Sequence, residues 1–232
     1  DEQIVILVAT SGDTGKAALE GFANVEGTRI MVFFPEDGVS PVQKLQMNTQ
    51  EGANTCVVGI KGNFDDAQSA VKSIFTDKEL EKELDEKGFQ FSSANSINIG
   101  RLVPQIVYYF WAYLNAVKLG EVKAGEELNF TVPTGNFGDI LAGWYAMKMG
   151  LPVGHFVCAS NDNKVLYDFF RTGEYNRNRE FHVTVSPSMD ILISSNLERL
   201  LAHMGGQDAT KAEMESLNKT GSYKAEITET KI

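Results

Sequence analysis

Cationic side chains are in short supply in this chain, with 21 Lys and Arg against 31 Asp and Glu and a formal charge of −10. So acidic a surface repels polyanions; it excludes non-specific attachment to nucleic acid or to an anionic membrane, and any anion must be captured locally. Cysteine is nearly absent. Cys56 and Cys158 lie far apart, share no metal-ligand spacing, and read as small buried hydrophobes of a reducing compartment, so the expected location is cytoplasmic and no metal is expected. There is no basic-then-apolar leader, no lipidation motif and no Met before Asp1, and the expectation is a segment of a longer protein. Long apolar runs are missing too: the longest, Leu102 to Leu119, carries Pro104, Gln105, Asn115 and Lys118, which suits a core helix rather than a membrane span. What is present, 43% hydrophobic and 22% charged residues over 232 positions, is ordinary globular composition sufficient for one large domain or two small ones.

Strand-length apolar runs alternate with helical patterns through the first hundred residues. Ile4–Ala9, Arg29–Pro35, Asn54–Ile60 and Phe89–Phe91 read as strands, the first a continuous apolar run of the kind buried on both faces of a parallel sheet. Helices fall between them: one after Gly15, one opened by Ser40-Pro41, one opened by Asn63, and a charged one over Asp77–Lys87 that Gly88 ends. This pattern predicts a doubly wound α/β domain over residues 1–100. A second α/β domain is expected over 101–232, with strands missing from its sheet. Leu102, Ile106, Tyr109, Tyr113 and Val117 form an apolar stripe on a long helix that Pro104 either enters at the first turn or kinks. Further strands are expected over Phe130–Val132, Gly154–Ala159 and Phe181–Val185, and helices over Leu141–Met149, Asn163–Phe170 and Asn196–Met204, followed by a polar, solvated helix and tail.

Three polar turns at strand carboxyl ends carry the candidate chemistry. In Phe130-Thr131-Val132-Pro133-Thr134-Gly135-Asn136-Phe137-Gly138-Asp139, two glycines three apart permit close backbone approach and positive φ, and the following helix presents free amides and the positive end of its dipole. A phosphate suits such a cup, although a glycine turn of this type is often purely structural. Thr10-Ser11-Gly12-Asp13-Thr14-Gly15 is a second strand–turn–helix unit, readable as another anion cup or as a helix capped by its Ser, Asp and Thr. Asn95, Ser96 and Arg101 make the third group, either an oxyanion site in which Arg101 forks onto a phosphate or a set of caps with Arg101 on the surface. In an open α/β sheet, turns at the strand carboxyl ends gather where ligands bind.

Taken together, Ser11-Gly12-Asp13-Thr14-Gly15, Asn95-Ser96-Ile97-Asn98, Pro133-Thr134-Gly135-Asn136-Phe137-Gly138-Asp139 and Ser195-Asn196-Leu197-Glu198-Arg199 closely resemble the threonine synthase family of bacterial and fungal type. The likeness covers nearly the whole chain. It implies the fold-type II pyridoxal-phosphate architecture shared with tryptophan synthase β, with two open parallel or mixed sheets, and pyridoxal 5'-phosphate as cofactor. By the same resemblance Gly135, Asn136, Phe137 and Gly138 hold the cofactor phosphate, and Asp13 stands where relatives usually carry an Asn beside the pyridine hydroxyl. Ser11, Gly12 and Thr14 fit the grip on the substrate carboxylate, and Asn95, Ser96 and Arg101 fit the phosphate of O-phosphohomoserine. Asp13 departs from the wider pattern, because two anions repel unless one is protonated.

The resemblance implies a β,γ-replacement that turns O-phosphohomoserine and water into threonine and phosphate. The family's cofactor-bearing lysine lies upstream of the Ser11–Gly15 turn, so no catalytic residue is expected here; Lys16 and Lys44 are read as solvated helix-face charges. The group for the pyridine nitrogen is expected beyond residue 232, and the chain by itself is expected to be inactive. Two alternatives stay open: a dehydratase or cysteine-synthase-like enzyme of the same cofactor class, and a non-catalytic α/β anion-binding module. Oligomeric state is not legible.

Overall fold

Apolar strands that each feed a turn and an amphipathic helix can bury both faces only by winding into a parallel sheet with helices on either side. The computed structural model, which describes residues 3–227 and 231–232, takes this form through β1 (Gln3–Ala9), α1 (Asp13–Phe22), β2 (Thr28–Pro35), α2 (Pro41–Asn48), β3 (Thr55–Ile60), α3 (Phe64–Thr76), α4 (Lys78–Glu86) and β4 (Phe89–Ser93). The four strands are parallel, in the order β3-β2-β1-β4. Ile6, Val8, Ile30 and Val32 line one face and pack with Leu19 and Met47 of the covering helices. Helix starts match their sequence signals: Ser40 and Gln43 close a capping box on α2 with Pro41 at its first position, and Asn63 and Asp66 close another on α3.

The described residues up to Asn98, joined by Val185–Ser188, form one compact unit; Ile99–Thr184 and the described residues from Met189 onward form another. The second contains α5 (Ile99–Leu102), a 3₁₀ turn over Val103–Gln105, α6 (Ile106–Leu119), β5 (Leu128–Pro133), α7 (Gly138–Lys148), β6 (Val153–Ala159), α8 (Val165–Thr172), β7 (Glu174–Asn176), α9 (Leu197–Gly205), α10 (Gln207–Thr220) and β8 (Ser222–Lys224). Strands β5 and β6 pair in parallel, and β7 and β8 pair antiparallel. The core gathers around Phe137, Ile140, Leu141, Phe156, Phe169 and Leu200, all buried. Among the described residues no helix is long and apolar enough to cross a membrane.

Pro104 cannot donate to a helical ladder, and the long helix expected after Gly100 accordingly breaks into α5, the 3₁₀ turn and α6. The stripe itself holds: Leu102, Tyr109 and Tyr113 are buried, and Ile106 and Val117 pack against the same core. The opposite side of α6 is also apolar but exposed, with Val107, Tyr108, Trp111 and Leu114 in contact with solvent.

Three expectations fail. Phe181–Val185 is not a strand, because side chains take its backbone groups: the His182 amide donates to Asn163 Oδ1 (2.9 Å), Asn163 Nδ2 donates to the His182 carbonyl (2.7 Å), and the Thr184 amide donates to Asp190 Oδ2 (2.8 Å). The expected tail after α10 instead turns back as β8 against β7, with Tyr175 and Tyr223 stacked at 5.1 Å and both buried. Cys56 is exposed on the edge strand β3, whereas Cys158 is partly buried and its thiol is pushed up to about 11 by that burial.

The two faces of α6 make opposite demands. Tyr109 donates to the Asp139 carbonyl (2.9 Å) from a buried position, whereas Trp111 is 68% exposed. Tyr109→Phe should lose about 0.5–1.5 kcal/mol, the net worth of one hydrogen bond, and Trp111→Ala should stay within about 0.5 kcal/mol of the parent. Urea denaturation of both variants checks the assignment of faces, which a larger loss at Trp111 would reverse.

Candidate functional site

The Gly135–Gly138 turn leaves β5 with its ladder extended by one residue, as the Thr134 amide donates to the Ala159 carbonyl (2.9 Å). Positive φ falls on Phe137 (64°) rather than on Gly135 or Gly138, a correction to the expectation that the glycines supply it. The strain of a left-handed aromatic residue is offset by packing: Phe137 is completely buried and stacks on Phe170 at 5.8 Å. Gly135 serves close approach instead, since a Cβ there would fall 2.9 Å from Ile191 Cδ1.

What orients this turn lies some sixty residues downstream. Ser194 Oγ donates to the Gly135 carbonyl, and both the backbone amide and the side-chain Nδ2 of Asn196 donate to the Asn136 carbonyl, each at 3.1 Å. A planar trans peptide points its N–H opposite its C=O, so fixing these carbonyls inward turns the Asn136 and Phe137 amides outward. Among the described residues no group accepts from the Gly135, Asn136 or Phe137 amides, while Gly138 donates to Asn136 Oδ1 (2.8 Å). Outward amides at the start of the 11-residue α7, reinforced by its dipole, form an anion cup.

The sequence pattern assigns Ser195 and Asn196 no role and does not mark Ser194 or Tyr175. The Tyr175 hydroxyl accepts from the Ser194 amide (2.8 Å) and donates to the Leu192 carbonyl (2.8 Å), so β7, paired with β8, steadies the segment that holds the turn. No local pattern signals such a role, because a three-residue strand has no usable period.

Asp139, the second residue of α7, has a buried Oδ1 without a partner among the described residues. Burial pushes its carboxyl above the ordinary 3.8, against a smaller opposing effect of the Tyr109 hydroxyl.

In the first unit, Ser11, Gly12, Asp13 and Thr14 follow β1, and Asn95 and Ser96 follow the neighbouring β4. The caps expected from the turn's own side chains are absent from α1: Gly12 is its N-cap at φ 143°, without a side-chain cap bond. Thr10 does the work from the strand end, its Oγ1 accepting from the amides of Gly12 (3.0 Å) and Gly15 (2.9 Å). Asn95 bridges strand ends, with Oδ1 accepting from the Ala9 amide (3.0 Å) and Nδ2 donating to the Ala9 carbonyl (2.7 Å). One Nδ2 hydrogen is left for another acceptor. Asp13 is exposed and accepts from Gln43 Nε2 (2.7 Å) and Ser188 Oγ (3.1 Å). Arg101 is on α5 in the second unit, with Gly135–Gly138, while the other candidate residues are in the first.

Parallel sheets whose strand ends run through polar turns into helix N-termini define a class, the α/β proteins that hold an anionic ligand on backbone amides. Within that class the chain belongs to the pyridoxal-phosphate dependent enzyme family, whose model matches residues 1–210. Threonine synthase-like 1 of Homo sapiens is 49% identical over 211 residues, covering 88% of this chain and 28% of that relative. Threonine synthase of Pseudomonas aeruginosa is 44% identical over 207 residues, covering 89% of this chain and 42% of that one. The structure of pyridoxal-phosphate-bound threonine synthase from Brucella melitensis superposes with a TM-score of 0.80 at 44% identity, over 99% of this chain and 47% of that one. The chain thus spans less than half the length of these relatives, and its parallel sheets match the fold-type II architecture. Pyridoxal phosphate is the family's cofactor; when bound it supplies an electron sink. The unspent amides of Asn136 and Phe137 are donors of the kind a phosphate accepts from, so the residues present fit it.

Two outcomes follow for the residues that build these turns. Thr10→Val preserves shape but orphans the buried amides of Gly12 and Gly15, and should cost about 1–3 kcal/mol in chemical denaturation, with Thr10→Ser losing much less. For Asp139 the sign is fixed by linkage: a raised folded-state value means that the native state holds the proton more tightly. Its stabilising effect is full below the ordinary aspartate value and is lost as pH rises through the raised one. Asp139→Asn should therefore gain stability over the parent at about pH 7 and lose that advantage near pH 4. Urea titrations at the two pH values test it, and an advantage independent of pH would contradict it.

Proposed function

We propose that this chain contributes the phosphate cup and the substrate-gripping turns of a threonine synthase, converting O-phosphohomoserine and water into threonine and phosphate by β,γ-replacement. Gly135, Asn136, Phe137 and Gly138 form the turn that holds the cofactor phosphate, with the outward amides of Asn136 and Phe137 as its donors. Ser11, Gly12 and Thr14 receive the substrate carboxylate, and Asp13 stands near the pyridine hydroxyl. Asn95, Ser96 and Arg101 receive the substrate phosphate and stabilise the charge that builds on it as it leaves. The activity belongs to the whole protein, because the relatives that carry the name are more than twice as long as the matched region.

The observation that carries this reading is Asn95, whose side-chain amide keeps a donor hydrogen outside the cup. A single phosphate needs only the Gly135–Gly138 amides, and a dehydratase or a cysteine-synthase-like enzyme has no further phosphate to bind. A substrate with its own phosphate gives Asn95, Ser96 and Arg101 a use, and the Asn95 amide retains a hydrogen to donate after bridging Ala9.

Arg101 provides the test. In the full-length protein Arg101→Ala should lower turnover of O-phosphohomoserine by about one to two decades, the equivalent of a charge-assisted hydrogen bond of roughly 1.5–3 kcal/mol. Affinity for pyridoxal phosphate should hardly change, since the cup holds it. Arg101→Lys should recover part of the loss, because a point charge replaces the planar fork. Loss of turnover and cofactor affinity together would make Arg101 structural, and loss of neither would remove it from the site.

A further inference from the structure

Gln43 occupies a position that neither the cofactor cup nor the helix cap alone explains. Its backbone amide donates to Ser40 Oγ (3.2 Å) and its Oε1 accepts from the Ser40 amide (3.2 Å), which completes the capping box of α2. Its Nε2 then donates to Asp13 Oδ1 at 2.7 Å, across 30 residues of sequence. The same carboxamide packs under Gly12, where an added Cβ would come within 2.4 Å of it. Gly12 is buried at φ 143°, a conformation open to glycine and strained for other residues. One side chain therefore sets the start of α2, fills the space beneath the Gly12 backbone, and takes hold of the neighbouring carboxylate.

Glutamine and glutamate close a capping box equally well. They differ at the third contact. A glutamate would set a carboxylate against Asp13 in place of an N–H donor, and the two anions would repel. The amide at position 43 is matched to Asp13 rather than to the helix. Ser188 Oγ supplies the other donor, at 3.1 Å from Asp13 Oδ2, so both carboxylate oxygens are engaged by neutral groups.

We propose that Gln43 is a positioning residue for the Ser11–Thr14 turn, acting through Asp13 and beneath Gly12 to fix the backbone that grips the substrate carboxylate. Its functional consequence rests on the reading of that turn given above.

The test exchanges donor and acceptor. Gln43→Glu keeps the capping box and breaks the contact with Asp13; Gln43→Glu combined with Asp13→Asn restores the contact with its polarity reversed. Amide hydrogen exchange at neutral pH is followed at Gly12 and Gly15, which donate to Thr10, with the Lys44 amide, which donates to the Ser40 carbonyl (2.9 Å), reporting on α2. Gln43→Glu should speed exchange at Gly12 and Gly15 by about ten-fold or more and leave Lys44 unchanged, and the double variant should return most of the protection. Unchanged exchange at Gly12 and Gly15 in Gln43→Glu would overturn the proposal, as would a double variant that restores nothing. Loss of Lys44 protection in Gln43→Glu would also overturn it, by showing that position 43 acts through the helix.

The KM for O-phosphohomoserine in the full-length variants reports separately on the site. If exchange follows the expected pattern and KM rises in Gln43→Glu and recovers in the double variant, both the positioning role and the reading of the turn are supported. If exchange follows the pattern and KM does not move, Gln43 still positions the turn, and the assignment of that turn to the substrate fails.

Discussion

Two backbone carbonyls turned inward decide whether the start of α7 can hold an anion. A peptide unit offers its N–H in one direction only while its C=O is secured in the other. At Gly135 and Asn136 that hold comes from Ser194 and Asn196, both buried, and the strand–turn–helix segment supplies only the amides they aim. Phe137 completes the turn by accepting a left-handed backbone, and its buried ring, stacked on Phe170, offsets the strain. The cup is thus preorganised by the protein's own contacts, which lowers the ordering cost a ligand would otherwise meet on binding.

The first unit solves the same problem with different parts. Thr10 binds two amides of the following turn with one hydroxyl, Asn95 joins the ends of β1 and β4, and Gln43 supports the turn from α2. Each acts at the carboxyl end of a parallel strand, where helix N-termini and free backbone groups collect. Polar side chains here hold backbone in place first, and only what is left over is open to a further partner. Asn95 shows the division within one residue: two of its hydrogen bonds close the sheet end, and one hydrogen is left.

Most of this fold was legible because its signals are local. The apolar run Ile4–Ala9, the Ser40-Pro41 start and the Asn63 start each specify their element within a few residues, and β1, α2 and α3 follow them. The turn from β5 into α7 was legible for the same reason, since Gly135 to Gly138 lie between a strand and a helix. Its φ values were not, because glycine spacing suggests where the backbone can bend and packing around Phe137 decides where it does. Phe181–Val185 misled, as alternation of side chains cannot reveal that Asn163 and Asp190 take the backbone groups a strand would need. Gln43, Ser194 and Tyr175 escaped because each acts on a partner brought near by the fold, and nothing in a neighbouring residue marks that contact.

The outward amides of Asn136 and Phe137 are the proposed seat of the cofactor phosphate. Amide chemical shifts in the isotope-labelled full-length protein, titrated in parallel with pyridoxal phosphate, pyridoxal and inorganic phosphate, test it most directly. Pyridoxal phosphate and inorganic phosphate should both displace the Asn136 and Phe137 amide signals, and pyridoxal should leave them in place. Signals at Asn136 and Phe137 that stay fixed while pyridoxal phosphate binds elsewhere would contradict it.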